Sequence, residues 1–223
     1  TALGSSSMGH DVISTDIDEK KVKNLNNNIP PIYEESLGSL LKFCNLNNKI
    51  SFTTDTVRAI QNSELIIIAA RPGMGKTAFV LSMARNISVE HKMPIAIFSL
   101  EMSSIQLITR LITSETGLSQ QKLRSGDLEP HEWTQLHHKV KQIETADIFI
   151  DDTPSLSVFD LRAKCRRLQS EHGIKLIIID YLQLMSTRDH KGNREQEISH
   201  ISRSLKSIAK ELNVPVIALS QLS

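Results

Sequence analysis

A short glycine-containing segment, Ala70 to Thr77, carries the residue types best suited to phosphate chemistry. It reads ARPGMGKT, follows the apolar run Leu65–Ala70 and precedes a stretch typical of a helix. In such a strand–loop–helix unit, backbone N–H groups surround phosphate oxygens and the helix N-terminus adds positive charge. The pattern predicts Lys76 at the β/γ-phosphates and the Thr77 hydroxyl on Mg²⁺. The alternative, a strand–helix turn with a stray lysine, fits this setting less well.

The first position of the usual pattern is glycine, and here it is Ala70, which is small enough for the same turn. We therefore expect the nucleotide to contact the loop and the first turn of the following helix. The predicted nucleotide-binding residues are Ala70, Arg71, Pro72, Gly73, Met74, Gly75, Lys76, Thr77 and Ala78.

Further apolar runs follow the loop, and helix-like stretches separate them. The runs are Ile95–Leu100, Ile148–Ile150, Leu176–Ile179 and Val214–Leu219. Continuous apolar strands that alternate with helices predict an α/β fold, with a parallel sheet covered by helices on both faces. Ligands of such sheets bind at the C-terminal ends of the strands, so polar residues at those ends are the candidates for chemistry.

Three polar residues meet this condition: Glu101, Asp180 and Gln221. Glu101 could orient or deprotonate the attacking water, or it could be an acid favoured by a helix dipole; its position fits both equally. Asp180 follows four apolar residues, a Walker-B pattern whose carboxylate holds Mg²⁺ or its water. That pattern is weak alone and strong together with the phosphate loop. Gln221 could sense the γ-phosphate, although a polar residue that merely ends a strand is the simpler interpretation.

Several ordered motifs resemble the motor domain of bacterial DnaB-type replicative helicases: ARPGMGKTAF, FSLEM, LIIIDYLQLM and ISRSLKSIAKELNVPVIALSQLS. The similarity runs from about Leu65 to Ser223. It implies a RecA-like fold, a hexameric ring and ATP-driven translocation on single-stranded DNA, with ATP and Mg²⁺ as cofactors. By matching position it implies that Lys76 and Thr77 bind phosphate and Mg²⁺. Glu101 then corresponds to the catalytic glutamate, Asp180 to the Walker-B acid and Gln221 to the γ-phosphate sensor.

Any contact with DNA must be local, because the formal net charge of the chain is only +1. The best candidate is the stretch from Thr187 to Arg203, with Arg188, Lys191 and Arg194 as the expected DNA-binding residues. In the helicase family the corresponding loop faces the central channel. Acidic residues lower the net positive charge of this stretch, so a solvated loop stays a serious alternative.

A second basic cluster lies in a probable helix, and we favour a plain surface or a subunit contact for it. Its residues are Arg162, Lys164, Arg166 and Arg167.

The first part of the chain is a Rossmann-like piece. Asp11–Thr15 is typical of a strand with Asp16 at its end, and Asp18–Asn26 suits a helix capped by Asp18. The text GHDVISTDIDEKKVKNLNNNIPPIYEESLGSLL resembles the cofactor domain of nucleotide-sugar dehydrogenases of the UDP-glucose 6-dehydrogenase type, over residues 1–68. The resemblance implies that Asp16 would bind the adenosine ribose. The family's G-x-G-x-x-G turn would precede Thr1, so we expect a fragment without dehydrogenase activity.

The two resemblances meet in the strand Leu65–Ala70, so the chain looks like a chimera. We expect a partial Rossmann-like segment at 1–64 and a RecA-like ATPase core at 65–223, truncated at its C-terminus. A junction between equivalent strands permits one continuous sheet. Three functions stay open: a helicase motor impaired by truncation, an NAD-dependent nucleotide-sugar dehydrogenase fragment, and a non-enzymatic chimera that only binds nucleotide.

Composition places the protein in a broad class. The hydrophobic fraction of 39% and the charged fraction of 23% are those of an ordinary water-soluble protein. Cys44 and Cys165 lack metal-binding spacing and fit a reducing compartment. No run approaches membrane-spanning length, and no basic region leads into an apolar one at the start. We therefore expect a cytoplasmic protein without membrane contact.

Overall fold

The computed structural model of the 223-residue chain describes residues 2–7, 9–32, 36–61, 63–185 and 194–222, without the side chains at 194–196. The chain forms two compact units. The first comprises Thr1–Ser63 with Gly192–Ser202, and the second comprises Glu64–Lys191 with Arg203–Ser223.

The first unit is a small α/β segment around a two-stranded parallel sheet. Its strands pair in register from Val12 with Ile50 to Thr15 with Thr53. The Asp18 side chain accepts a hydrogen bond from the Lys21 backbone N–H at 3.1 Å, which confirms the predicted helix cap. The elements are α1 Ala2–Ser7, β1 Val12–Thr15, α2 Glu19–Asn26, α3 Leu37–Leu46, β2 Ile50–Thr53 and α4 Thr56–Gln61.

The second unit contains a five-stranded, fully parallel sheet in the order β3-β7-β6-β4-β5. Its strands are β3 Leu65–Ala70, β4 Ile95–Ser99, β5 Ile148–Asp151, β6 Leu176–Asp180 and β7 Val216–Gln221. Its helices are α5 Lys76–Arg85, α6 Ser104–Thr116, α7 Gln120–Ser125, α8 Pro130–Glu144 and α9 Val158–His172, and α10 Arg194–Leu212 ends in this unit. A short π-helix, Asn86–Glu90, follows α5, and a single 3-10 turn, Leu182–Leu184, follows β6.

Both faces of this sheet are covered. Every residue of β4 and β6 is buried, and so are the first five residues of β7. Because neighbouring residues of a strand point to opposite faces, an unbroken buried run requires packing on both sides. The predicted fold class, a parallel α/β sheet with helices on both faces, is confirmed.

The strand boundaries differ from the apolar runs in one informative way. The run predicted as Val214–Leu219 forms a strand two residues later, at Val216–Gln221, because Pro215 has no N–H to donate to the ladder. The first ladder bond of this strand runs from the Val216 N–H to the Glu64 carbonyl at 3.0 Å. Asp180 and Gln221 are the last residues of β6 and β7, opposite Ser99 and Ala70 respectively.

The strand at the junction of the two resemblances belongs to the second unit. β3 pairs with β7 over its full length, from Leu65 opposite Val216 to Ala70 opposite Gln221. In the described part of the chain the strands form two separate sheets, so the continuous sheet that a strand-for-strand junction permits does not form.

Candidate nucleotide-binding site

The phosphate loop connects β3 to α5 through two glycines with left-handed backbone conformations. Gly73 has φ 75° and Gly75 has φ 81°, a region that other residues adopt only with strain. A Cβ atom at either glycine would meet nothing within 4 Å, so the backbone conformation and not the available space requires glycine. Gly75 caps α5 without a side-chain hydrogen bond, which leaves the N-terminal N–H groups of the helix accessible to an anion.

The Lys76 ammonium lies over the start of this loop. Its Nζ donates to the Ala70 carbonyl oxygen at 2.6 Å and contacts the Arg71 carbonyl oxygen at 3.4 Å. Both acceptors lie where the strand ends and the loop begins. The side chain therefore folds back along the loop and holds a positive charge beside the N-terminus of α5.

Thr77 and Asp180 meet although 103 positions separate them. The Thr77 hydroxyl donates to Asp180 Oδ2 at 2.8 Å, and Asp180 is only 4% exposed. Burial raises the pKa of Asp180 above its ordinary value, and the nearby Glu101 carboxylate acts in the same direction. The Thr77 hydrogen bond and the charges of Lys76 and Arg110 oppose this rise.

The oxygen pair of Thr77 and Asp180 fits the requirements of Mg²⁺. This ion prefers hard oxygen ligands, usually one or two from the protein, with water and substrate phosphates completing the shell. Among the described residues no group of three or more His, Cys, Asp or Glu side chains could hold a metal ion. A site with two protein oxygen ligands suits an ion that also binds a substrate phosphate.

Glu101 is exposed and lies in a turn between β4 and α6 that hydrogen bonds fix on both sides. The buried Ser99 hydroxyl donates to the Met102 carbonyl at 2.7 Å and accepts from the Met102 N–H at 3.3 Å. Beyond the turn, the Ser103 side chain caps α6, and the Ser104 N–H donates to Asp152 Oδ2 at 2.7 Å. This backbone hydrogen bond lowers the pKa of Asp152. The turn thus holds Glu101 close enough to Asp180 for their charges to interact.

Sequence reasoning missed Asp152, and it also missed Gln183. Gln183 lies in the 3-10 turn after β6, and its side-chain amide forms hydrogen bonds with Ser220 and Gln221 at the end of β7. The available signal was slight: a glutamine between two leucines directly after the Walker-B strand, and a second aspartate after β5. Neither residue could be assigned without the order of the strands.

The predicted DNA-binding residues are not placed by the structure. Arg188 and Lys191 lie outside the described residues, and Arg194 begins α10 with its side chain outside them. The second basic cluster is largely paired: Arg162 and Arg166 contact Glu211, and Lys164 contacts Asp151. In the part of the chain that the structure describes, no helix is both long and apolar enough to cross a membrane.

Asp16, the expected ribose ligand of the first unit, already has local partners. Its carboxylate forms an ion pair with Lys21 and accepts the Asp18 N–H at 3.1 Å. The hydrogen bond from Lys21 is the largest cause of the lowered pKa of Asp16, and the Asp18 N–H adds to it. The position at the end of β1 is as predicted, but the carboxylate is engaged within its own turn.

The sheet, the glycine loop and the strand-end carboxylate together define a phosphate-loop nucleotide-binding domain of the parallel α/β class. A family profile, DnaB-like helicase C terminal domain, matches residues 50–223, and the chain belongs to this family. A second profile, the NAD binding domain of the UDP-glucose/GDP-mannose dehydrogenase family, matches residues 1–89. Both resemblances found in the sequence are confirmed, and the chain joins parts of two families.

Known proteins agree with this assignment. The chain is 54% identical over 164 residues to the replicative DNA helicase DnaB of Geobacillus stearothermophilus, a match that covers 73% of this chain and 36% of that protein. A solved structure of an ATPase domain superposes with a TM-score of 0.67 at 39% identity, covering 71% of this chain and 57% of that one. A second, of a DnaB-like replicative helicase and its interactions with primase, gives 0.66 at 38% identity, covering 72% of this chain and 39% of that one. The chain thus spans about a third of the length of the curated helicase it matches.

Proposed function

We propose that residues 65–223 form the ATP-binding and ATP-hydrolysing motor core of a replicative DNA helicase. The observation that carries the proposal is the 2.8 Å hydrogen bond between Thr77 and Asp180, which joins the phosphate loop to the Walker-B strand. The hydroxyl and the carboxylate are the two oxygen ligands that a phosphate-bound Mg²⁺ requires from a protein of this class. Family membership supports the same assignment.

Each residue of the site has a separate role in this proposal. The loop from Ala70 to Ala78 surrounds the phosphates with backbone N–H groups, and Lys76 leaves the Ala70 carbonyl to bind the β/γ-phosphates. Thr77 and Asp180 hold Mg²⁺, which neutralises charge on the phosphate oxygens when it is bound. These contacts orient the γ-phosphate for attack and need no covalent intermediate with the protein.

The attacking water is assigned to Glu101, and sensing of the γ-phosphate to Gln221. Glu101 is exposed on a turn fixed by Ser99, and its charge already acts on Asp180, so it lies near the metal ligands. It accepts the proton of the water as the oxygen attacks phosphorus, and the products are ADP and inorganic phosphate. Gln221 ends β7 opposite Ala70, the residue from which the phosphate loop departs.

The activity of the whole protein includes partners beyond this core. We propose translocation on single-stranded DNA, with Arg188, Lys191 and Arg194 as DNA contacts, within a hexameric ring located in the cytoplasm. Residues 1–64 form the separate Rossmann-like segment, for which we propose no catalytic role. A dehydrogenase activity has less support, because the Asp16 carboxylate is engaged by Lys21.

Isothermal titration calorimetry with Mg-ATP and Mg-ADP tests the proposal. The wild-type chain should bind both, and Lys76→Ala should lose at least about tenfold in affinity, because a charge-assisted hydrogen bond contributes about 1.5–3 kcal/mol. Lys141→Ala, which removes an exposed lysine of α8, is the matched control and should bind like the wild type. Equal affinities for Lys76→Ala and the wild type would contradict the assigned site.

A further inference from the structure

The end of β7 is held by a side chain that follows the neighbouring strand. Gln183 Nε2 donates to Ser220 Oγ at 2.9 Å and to the Gln221 carbonyl at 3.0 Å, and Gln183 Oε1 accepts the Gln221 N–H at 3.3 Å. Both polar atoms of one amide thus bind the last two residues of β7. Ser220 is buried, so its hydroxyl has little access to water as an alternative partner.

These hydrogen bonds begin where the strand ladder between β6 and β7 stops. The ladder pairs Ile177 with Val216 and continues to Ile179 with Ala218, whereas β7 runs on to Gln221. Beyond Ala218, Gln183 supplies hydrogen bonds on the β6 side that backbone groups supply earlier in the strand. The amide therefore substitutes for a strand neighbour at the segment that carries Gln221.

The same segment connects to the phosphate loop through one carbonyl oxygen. The Ala70 carbonyl accepts the Leu222 N–H at 3.1 Å and the Lys76 ammonium at 2.6 Å. In the proposed bound state Lys76 leaves this carbonyl for the phosphates, so the hydrogen bond from Leu222 remains as the link between the end of β7 and the loop. Gln183 contacts this end of β7 from the turn that follows Asp180.

We propose that Gln183 is a positioning residue that fixes the end of β7, so that Gln221 reaches the γ-phosphate and ATP is distinguished from ADP. The inference rests on the proposed nucleotide-hydrolysing function. Gln183 touches neither phosphate nor metal in this scheme, and acts through the backbone of Gln221. Its loss should therefore reduce the preference for a nucleotide with a γ-phosphate and leave ADP binding intact.

The test compares affinities for Mg-ADP and for Mg-adenylyl imidodiphosphate, a non-hydrolysable ATP analogue, in the 223-residue chain. Gln183→Met keeps the length of the side chain and removes its hydrogen bonds to Ser220 and Gln221. We expect its affinity for the analogue to fall about tenfold, and its affinity for ADP to change less than about twofold. Gln121→Met, on the exposed surface of α7, makes the same chemical change elsewhere and should alter neither affinity.

Two results would overturn the inference: equal weakening for both nucleotides, or no change for either. If circular dichroism shows that Gln183→Met is unfolded, Ser220→Ala is tested instead; it removes one of the three hydrogen bonds and must lower the same affinity ratio, and an unchanged ratio overturns the inference. The proposed function fails in a different way, by absence of nucleotide binding in the wild-type chain or by unchanged binding in Lys76→Ala, and the inference fails with it.

Discussion

The ionised carboxylate of Asp180 is poorly suited to its buried surroundings. Asp180 is 4% exposed, and burial together with Glu101 raises the pKa of its carboxyl. The folded chain therefore binds a proton at this position more readily than the unfolded chain does. At neutral pH the ionised carboxylate lowers the free energy of unfolding, a cost that a bound Mg²⁺ would offset.

We predict that Asp180→Asn stabilises the chain and abolishes Mg-nucleotide binding. With EDTA at pH 7, Tm measured by calorimetry should rise by a few degrees, since for chains of this size about 1 kcal/mol corresponds to about 2–4 °C. The difference should shrink as pH falls through the raised pKa of Asp180 toward its ordinary value of 3.8, because the wild-type side chain then becomes neutral as well. A variant less stable than the wild type at pH 7 would contradict this account.

Replacing Glu101 should slow ATP hydrolysis without weakening nucleotide binding. We predict that Glu101→Gln keeps its affinity for Mg-ATP and lowers the steady-state ATPase rate by about 10²–10⁴, the usual contribution of a general base. The amide keeps the shape of the side chain but accepts no proton at neutral pH. Glu144→Gln, an exposed glutamate of α8, is the matched control and should hydrolyse ATP like the wild type. Equal rates for Glu101→Gln and the wild type would reassign the base.

The site residues predicted from the sequence carry their signal in adjacent positions, whereas Gln183 and Asp152 do not. Lys76 and Thr77 lie in one motif, and Asp180 ends an apolar strand, so each carries its signal in adjacent positions. Gln183 and Asp152 act on neighbouring strands and helices, at the end of β7 and at the start of α6. Their roles depend on which strands are adjacent, and a single sequence does not contain that information.

The carboxylate of Glu115 connects three helices. Glu115 of α6 binds Arg85 of α5 at 2.6 Å and Lys139 of α8 at 3.0 Å, and its side chain is 8% exposed. Burial alone would raise the pKa of Glu115, but the hydrogen bonds from Arg85 and Lys139 lower it below its ordinary value of 4.5. The ionised form therefore stabilises the fold.

We predict that Glu115→Gln lowers the free energy of unfolding by about 1–2 kcal/mol at pH 7, because the amide has no negative charge and offers one acceptor oxygen where the carboxylate offers one to Arg85 and one to Lys139. The stabilisation from Glu115 is complete above pH 4.5, its ordinary pKa, and is lost as pH falls through the lowered pKa of the folded state. Urea unfolding at pH 7 and at about pH 3 should show the difference between variant and wild type shrinking in acid. Glu144→Gln should change stability by less than about 0.5 kcal/mol. A difference independent of pH would contradict the assigned cause.

The sequence predicted the bounds of the strands better than it predicted which strands are adjacent in the sheet. β3 occupies the predicted run Leu65–Ala70, since a buried parallel strand needs apolar residues on both faces. β7 starts two residues later than its apolar run, because Pro215 has no N–H to donate to the ladder. The order β3-β7-β6-β4-β5 is not visible in the spacing of the runs, although it brings Ala70, Gln221 and Asp180 to one edge.

The whole chain combines matches to a helicase family and to an NAD-binding dehydrogenase family. We predict that NADH does not bind measurably at Asp16. This carboxylate is already paired with Lys21, and one charge-assisted hydrogen bond contributes only about 1.5–3 kcal/mol, whereas micromolar binding requires about 8 kcal/mol. NADH fluorescence should show no saturable enhancement in the wild type. Saturable enhancement that is absent in Asp16→Ala would show that the first unit is a working cofactor site.

Charge is the other property of the whole molecule that bears on function. The formal net charge of +1 provides no long-range attraction for nucleic acid, so DNA affinity must come from a local group of cations. The proposed group is Arg188, Lys191 and Arg194. Each cation that neutralises a phosphate of single-stranded DNA contributes about 0.7 to the slope of log affinity against log salt concentration.

We predict that replacing Arg188, Lys191 and Arg194 together by glutamine weakens binding of fluorescent oligo(dT) and lowers that slope by about 2. The matched control replaces three exposed cations of the second unit, Arg124, Lys141 and Arg167, and changes the net charge by the same amount. If the contact is local, the control keeps the wild-type slope; if binding follows net charge, both triple variants lose affinity equally. Mg-ATP affinity, measured in parallel, should be the same in all three proteins, because the phosphate site contains none of these side chains. An equal salt slope in the two triple variants would remove the segment from Thr187 to Arg203 from the proposed DNA path.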